Sequence, residues 1–233
     1  MKKEIIKKAL VSTIPVMSGY VVLGIGFGIL MSTNGLNPLW SLLMSLFIYA
    51  GSMQYVAIGL LTGGASFLTT ALTTLMVNAR HLFYGISMID KYSKIKKGKL
   101  YDIFGLTDET YALVVEDRPD IQEEDLPSYY FLVSILDQSY WVTGSMIGAL
   151  LGTMITFDTT GIDFSLTALF IAIFTEQCVS NGNRKAGIIG VVSSVVCLIL
   201  FGPGNFLIPS MILITVLLCT MRKSIEQGGG QNE

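Results

Sequence analysis

Apolar residues along the chain gather into long runs separated by short polar breaks. The runs cover residues 11–31, 40–61, 66–89, 129–152, 164–180, 186–201 and 206–220. Most reach or approach the ~20 residues a helix needs to cross hydrocarbon, whereas barrel strands would alternate over ~10-residue segments. This pattern predicts an all-α polytopic transmembrane helical bundle of about six to seven membrane segments, including discontinuous or re-entrant helices. Residues 1–233 are expected to form one integral membrane domain.

The punctuation of the runs is informative. Four lysines in the first ten residues read as a cytoplasmic end or as the n-region of a signal peptide. The anchor reading is preferred, because no small-residue cleavage site follows and the run, interrupted by Pro15, is too long for an h-region. Gly24 and Gly28 have the G-x-x-x-G spacing that lets helices approach closely, and residues 33–38, TNGLNP, have the composition of a turn. The 40–61 run holds Ala50, Gly51, Ser52, Met53 and Gln54 at its centre. It reads either as a discontinuous helix whose exposed half-helix ends build a site, or as an ordinary helix packed through small residues with Gln54 hydrogen-bonded across it.

Asn78, Arg80 and the chain's only histidine, His81, stand in the middle of the 66–89 run. An ionisable group at that depth costs roughly 2.5 kcal/mol or more and normally faces a protein-lined interior. Helical spacing places Thr69, Thr73, Met76, Arg80, Tyr84 and Ser87 on one polar stripe. The alternative is a helix shifted in depth, with Arg80 snorkelling to the headgroups.

Five lysines and no acid in residues 91–99 mark a cytoplasmic loop. Three apolar runs separate it from an N-terminus that carries the same signal, so parity requires that one run, most simply 40–61, be re-entrant. Residues 100–115 are too short and acidic to span, forming either an amphipathic cytoplasmic helix or a segment dipping into the protein. Residues 116–127 form a solvated acidic loop, and 129–152 is a span carrying Asp137 and a Trp141, Gly144, Gly148, Gly152 face. The 164–180 run ends in Glu176 and Gln177; Gly202, Pro203, Gly204 and Asn205 divide the last two runs, and Arg222 and Lys223 sit on the cytoplasmic side. Gln54 precedes Asn78 by the spacing that separates Gln177 from Phe201, an internal echo suggesting a two-fold repeat of about residues 10–90 and 130–215.

Composition narrows the class. Charged residues make up 14% of the chain and hydrophobic ones 52%, against roughly 25% charged in an ordinary soluble domain. The net charge of −2 hides segregated clusters, and neither cluster has the character of a nucleic-acid site. Cys178, Cys197 and Cys219 are widely spaced in apolar runs and read as packing residues, so no metal or other cofactor is expected. An intramembrane enzyme would need an activated nucleophile, yet there is no G-x-S-x-G serine and no Walker motif. A non-transporting scaffold would have no need of a polar stripe at mid-depth.

Four motifs carry a resemblance: Pro15 with the glycines through Gly28; Ala50 to Gln54; Asn78-Ala79-Arg80-His81-Leu82-Phe83-Tyr84-Gly85; and Leu106-Thr107-Asp108-Glu109-Thr110. In that order and spacing the chain resembles the AzlC/YgaZ family of branched-chain amino acid exporters, most strongly before Leu113. The resemblance implies a large permease subunit in the bacterial inner membrane, with an amino-acid substrate and a small AzlD/YgaH-like membrane partner. Met53 stands where an alanine is common in the motif. A zwitterionic substrate needs a donor for its carboxylate, an acceptor for its ammonium and an apolar pocket. Arg80 suits the first role and Asp137 or the Asp108-Glu109 pair the second. Gly51, Ser52, Gln54, Asn78 and Tyr84 complete the candidate set, and His81 can carry a coupling proton. Arg80 and Asp137 could instead neutralise each other as a buried pair.

Overall fold

The computed structural model describes residues 3–154, 164, 167, 168, 171, 174, 175, 178, 184–202 and 206–229. All regular structure among them is helical: α1 (Lys3–Thr33), α2 (Pro38–Phe47), α3 (Gly51–Thr62), α4 (Phe67–Val77), α5 (Arg80–Ser87), α6 (Ile89–Ser93), α7 (Lys99–Phe104), α8 (Asp108–Val115), α9 (Leu126–Gly152), α10 (Arg184–Phe201) and α11 (Leu207–Gly229). The chain divides into two compact units, Met1–Ser165 and Leu166–Glu233.

The first unit is built on α1 and α9, which run side by side in the same direction. Tyr129 donates to Ser12 Oγ near one end (3.0 Å) and Ser32 donates to the Ala149 carbonyl near the other (2.6 Å). Glycines permit the approach. A Cβ on Gly24 would lie 2.9 Å from the Ser145 amide nitrogen, and one on Gly144 would lie 2.7 Å from the Val21 carbonyl. Gly28 and Gly148 sit closer still to the opposing backbone, so both glycine faces read from the sequence belong to one interface.

At the lysine-rich end, Ile5 and Ala9 of α1 share a core with Met88, Tyr92, Tyr129 and Val133. Lys8 bonds to the Asp120 carbonyl, and Lys91 pairs with Asp117 at 3.0 Å. Both lysine clusters therefore lie at the same end, as the parity argument requires. The two broken helices make the return possible. After a turn with Gly35 at φ +78° and an Asn37 cap on the Leu39 amide, α2 runs back along α9 from Ser145 (Ser41 to its carbonyl, 3.3 Å) to Gln138 (Leu46 carbonyl, 3.0 Å). The chain breaks at Tyr49, φ +43°, and α3 starts again beside Trp141. Gly64, φ +62°, then turns it into α4.

The continuous helix expected over 66–89 is corrected. Around Asn78 the backbone bonds shorten to three-residue spacing: Ala79 N to Met76 O (3.3 Å), His81 N to Asn78 O (3.0 Å) and Leu82 N to Ala79 O (3.1 Å). That tightening ends α4 at Asn78 and starts α5 at Arg80. Residues 100–115 form α7 and α8, six and eight residues long, which are too short to cross. They dip into the protein, burying Asp102, Thr110 and Val114. Outward faces carry exposed Val22, Phe67, Leu68, Leu75, Leu82 and Phe83, a surface suited to lipid.

In the second unit, α10 is apolar and long enough to cross a membrane, with Ser193 and Cys197 its buried positions. Glu176, Gln177 and the break at 203–205 lie outside the described residues.

Candidate functional site

The two helix breaks meet in the first unit. Arg80, the first residue of α5, donates to Ser52 Oγ at the start of α3 and forms an ion pair with Asp108 Oδ2 at 2.6 Å. Its side chain is 31% exposed and that of Asp108 27%, so the pair is half-buried and turned inward rather than toward headgroups. This overturns the Arg80–Asp137 pairing considered from sequence: Asp137 is fully buried and accepts a hydrogen bond from Thr110 (2.8 Å) instead. The α8 N-terminus explains the difference. Thr107 caps it, accepting from the Thr110 amide at 3.3 Å, which projects Asp108 toward α5 and Glu109 toward α1, where Tyr20 donates to Glu109 at 2.6 Å and meets Thr107 at 2.7 Å.

Unused hydrogen-bonding capacity surrounds the pair. Arg80 Nε, Asp108 Oδ1, Asn78 Oδ1, Tyr49 Oη and Asp137 Oδ1 are buried without partners. A cavity of about 520 Å³ opens between the breaks, walled by Tyr49 and Ala50 from the first, Asn78 and His81 from the second, and Met88 and Phe104 beyond. Its size falls in the ~300–1,000 Å³ range of small-molecule sites. Tyr84 stacks on Tyr111 (4.5 Å between centroids), contacts His81 edge-on (5.7 Å) and lies beside the Asp108 carboxylate.

Other sequence candidates hold the scaffold. Gln54 is fully buried, accepting from Trp141 Nε1 (3.0 Å) and donating to Ser45 Oγ (3.3 Å). The 40–61 run is therefore a broken helix rather than an ordinary continuous one, and Gln54 still bonds across to its neighbours. Gly51 lets Trp141 pack on the break, where a Cβ would lie 3.2 Å from the ring. Gln138 caps the end of α2, donating to the Leu46 carbonyl while Tyr101 donates to it at 2.6 Å. Sequence reasoning missed Tyr20, Tyr49, Gln138 and Trp141 as site-forming residues. Thr107 had a detectable signal, a threonine just before two acids that open an apolar run; an isolated tyrosine in a glycine-rich helix has none.

An all-α membrane bundle whose half-helix ends meet at an inward ion pair, next to a largely apolar cavity that the pair itself does not line, has the character of a helical membrane transport protein. The family model described as AzlC protein matches residues 15–155. The chain is 42% identical over 215 residues to the Branched-chain amino acid transport protein AzlC of Bacillus subtilis, covering 92% of this chain and 84% of that one. It is 40% identical to an uncharacterized membrane protein of Helicobacter pylori (94% and 96% covered) and 27% identical to Inner membrane protein YgaZ of Escherichia coli (88% and 84%). No solved structure matches. The chain belongs to the AzlC family, and its role is transport.

Proposed function

We propose that this chain is a multi-pass secondary transporter of the inner membrane that exports branched-chain amino acids, is ion-coupled, and works with a small AzlD/YgaH-like membrane subunit. The observation that carries the reading is the half-buried Arg80–Asp108 pair, whose chain neighbours Asn78 and His81 wall the cavity although the pair does not line it. A zwitterion is the electrostatic complement of such a pair. Its carboxylate takes the guanidinium fork, including the unused Nε, and its ammonium takes Asp108, whose Oδ1 is free of partners. The first amides of α3, beside Ser52, add donors for the carboxylate. Glu109 and Asp137 are the further acceptors, and Met88, Ile89, Ile103 and Phe104 supply apolar wall for a branched side chain. His81 stands on the same wall.

Counterflow of labelled valine in proteoliposomes, with and without a co-reconstituted AzlD-like subunit, tests the reading. Exchange that needs the subunit and is competed by leucine and isoleucine is expected. Arg80→Lys keeps the charge but loses the planar fork, so it is expected to insert normally and transport poorly. Full transport by the purified single chain removes the partner from the proposal, and no exchange of any branched-chain amino acid removes the substrate class.

A further inference from the structure

Asp102 on α7 takes no part in the site above, yet it is fully buried and neither carboxylate oxygen has a hydrogen-bond partner. Two other buried polar atoms lack partners nearby: Tyr92 Oη on α6, within electrostatic reach of the carboxyl, and Ser134 Oγ on α9, which packs on Gly105 at the end of α7. Asp102 and Gly105 share a face of the turn, and Gly105 packs on Ser134, where a Cβ would lie 3.1 Å from Ser134 Cβ. The carboxyl is close enough to Tyr92 and Tyr101 to act on both electrostatically. Titratable groups on the elements packed around it are Tyr92, Tyr101, Lys99, and Tyr130 and Asp137 of α9; among the described residues none forms an ion pair with it.

A buried carboxylate with neither a cation nor a donor is strongly disfavoured, so the interior tolerates the neutral acid. A structural acid would satisfy its O–H and carbonyl, as Asp137 does in part through Thr110. Leaving both oxygens open suits a group that must gain and lose a proton as its surroundings change. Tyr92 gives the route, because it lines the 520 Å³ cavity while facing Asp102.

We propose that Asp102 is the proton-binding site that couples this transporter to a proton gradient, with Tyr92 relaying the proton between cavity and carboxyl. This rests on the transporter reading above. In each cycle the carboxylate takes a proton from water on one side, forming an O–H bond, and returns it to water on the other; no other bond changes and no electron moves.

The test uses proteoliposomes holding a pH-sensitive dye and the full chain with its subunit. Wild-type protein is expected to show valine counterflow, valine-dependent proton movement and accumulation driven by a pH gradient. Asp102→Asn is expected to lose proton movement and driven accumulation while still exchanging valine, and Asp102→Glu to recover both. Absence of counterflow in wild-type protein defeats the transporter reading. With counterflow present, driven accumulation surviving in Asp102→Asn, loss of exchange along with coupling in a folded protein, or drive by a sodium gradient without proton movement overturns the Asp102 proposal. Should Asp102→Asn not fold, dicyclohexylcarbodiimide on wild-type protein carries the test, since it attacks protonated carboxyls in apolar surroundings. An adduct on the Asp102 peptide, with driven transport stopped, is expected; no adduct, or an adduct with driven transport intact, overturns the proposal.

Discussion

Replacing Arg80 by glutamine, Asp108 by asparagine, and both together separates what the pair does for the fold from what it does for the substrate. At 2.6 Å the attraction is about 6 kcal/mol at an effective dielectric near 20, before desolvation. Withdrawing each ion from water offsets several kcal/mol of this, and partial exposure of both side chains weakens it further. A net coupling of about 1–3 kcal/mol remains, so each single variant is expected to lose roughly 2 kcal/mol of stability through the charge left behind. The double variant is expected to lose less than the sum of the two. Folded yield in detergent and Tm measure that half of the cycle, and valine counterflow the other. Recovery of yield without recovery of transport is the expected result. If the double variant transports as well as wild type, the pair only holds helices together and the carboxylate is bound elsewhere, with the α3 amides at Gly51 and Ser52 the next place to look. Strict additivity in yield would refute the electrostatic reasoning itself.

Gly148→Ala drives a methyl into the Ile25 backbone and is expected to cost about 1–3 kcal/mol, whereas Gly19→Ala, with nothing within 4 Å, is expected to gain up to about 1 kcal/mol; Tm compares them directly. Gln54→Leu strands the buried Trp141 indole N–H and the Ser45 hydroxyl, a loss of about 1–3 kcal/mol visible as a lower Tm. In the 116–125 loop, the Arg118 fork holds the Asp120 carboxyl down at about 2. A depressed carboxyl stabilises above its unfolded value, so order here is expected to persist down to about pH 4 and fade toward pH 2; limited acid proteolysis should show this and Asp120→Asn should remove it. Single cysteines at positions 94–98 are expected to resist labelling from outside intact cells, because both lysine clusters share one end of the unit.

Much of the architecture is legible in the residues alone. Apolar run lengths require helices, since only closed backbone hydrogen bonding survives in hydrocarbon, and glycines spaced by four require close packing. That the Gly24–Gly28 and Gly144–Gly152 faces pack on each other is a tertiary outcome, since spacing marks each as a close-packing surface without naming its partner. The break in the 40–61 run shows as well: small residues with an amide at mid-run are poor helix formers that need polar company. The break at Asn78 does not show, because no glycine or proline stands between residues 66 and 84 and only local three-residue hydrogen bonding ends the turn. The partner of Arg80 is equally a tertiary matter. Sequence offers three nearby acids of similar chemistry, and the choice among them rests on how the Thr107 cap aims α8, turning Asp108 to α5, Glu109 to Tyr20 and Thr110 to Asp137. Asp102 has no sequence signature separating it from any acid in an amphipathic stretch. Its isolation is a property of what packs around it, and a side chain's lack of partners is fixed by three-dimensional neighbours that linear spacing does not record.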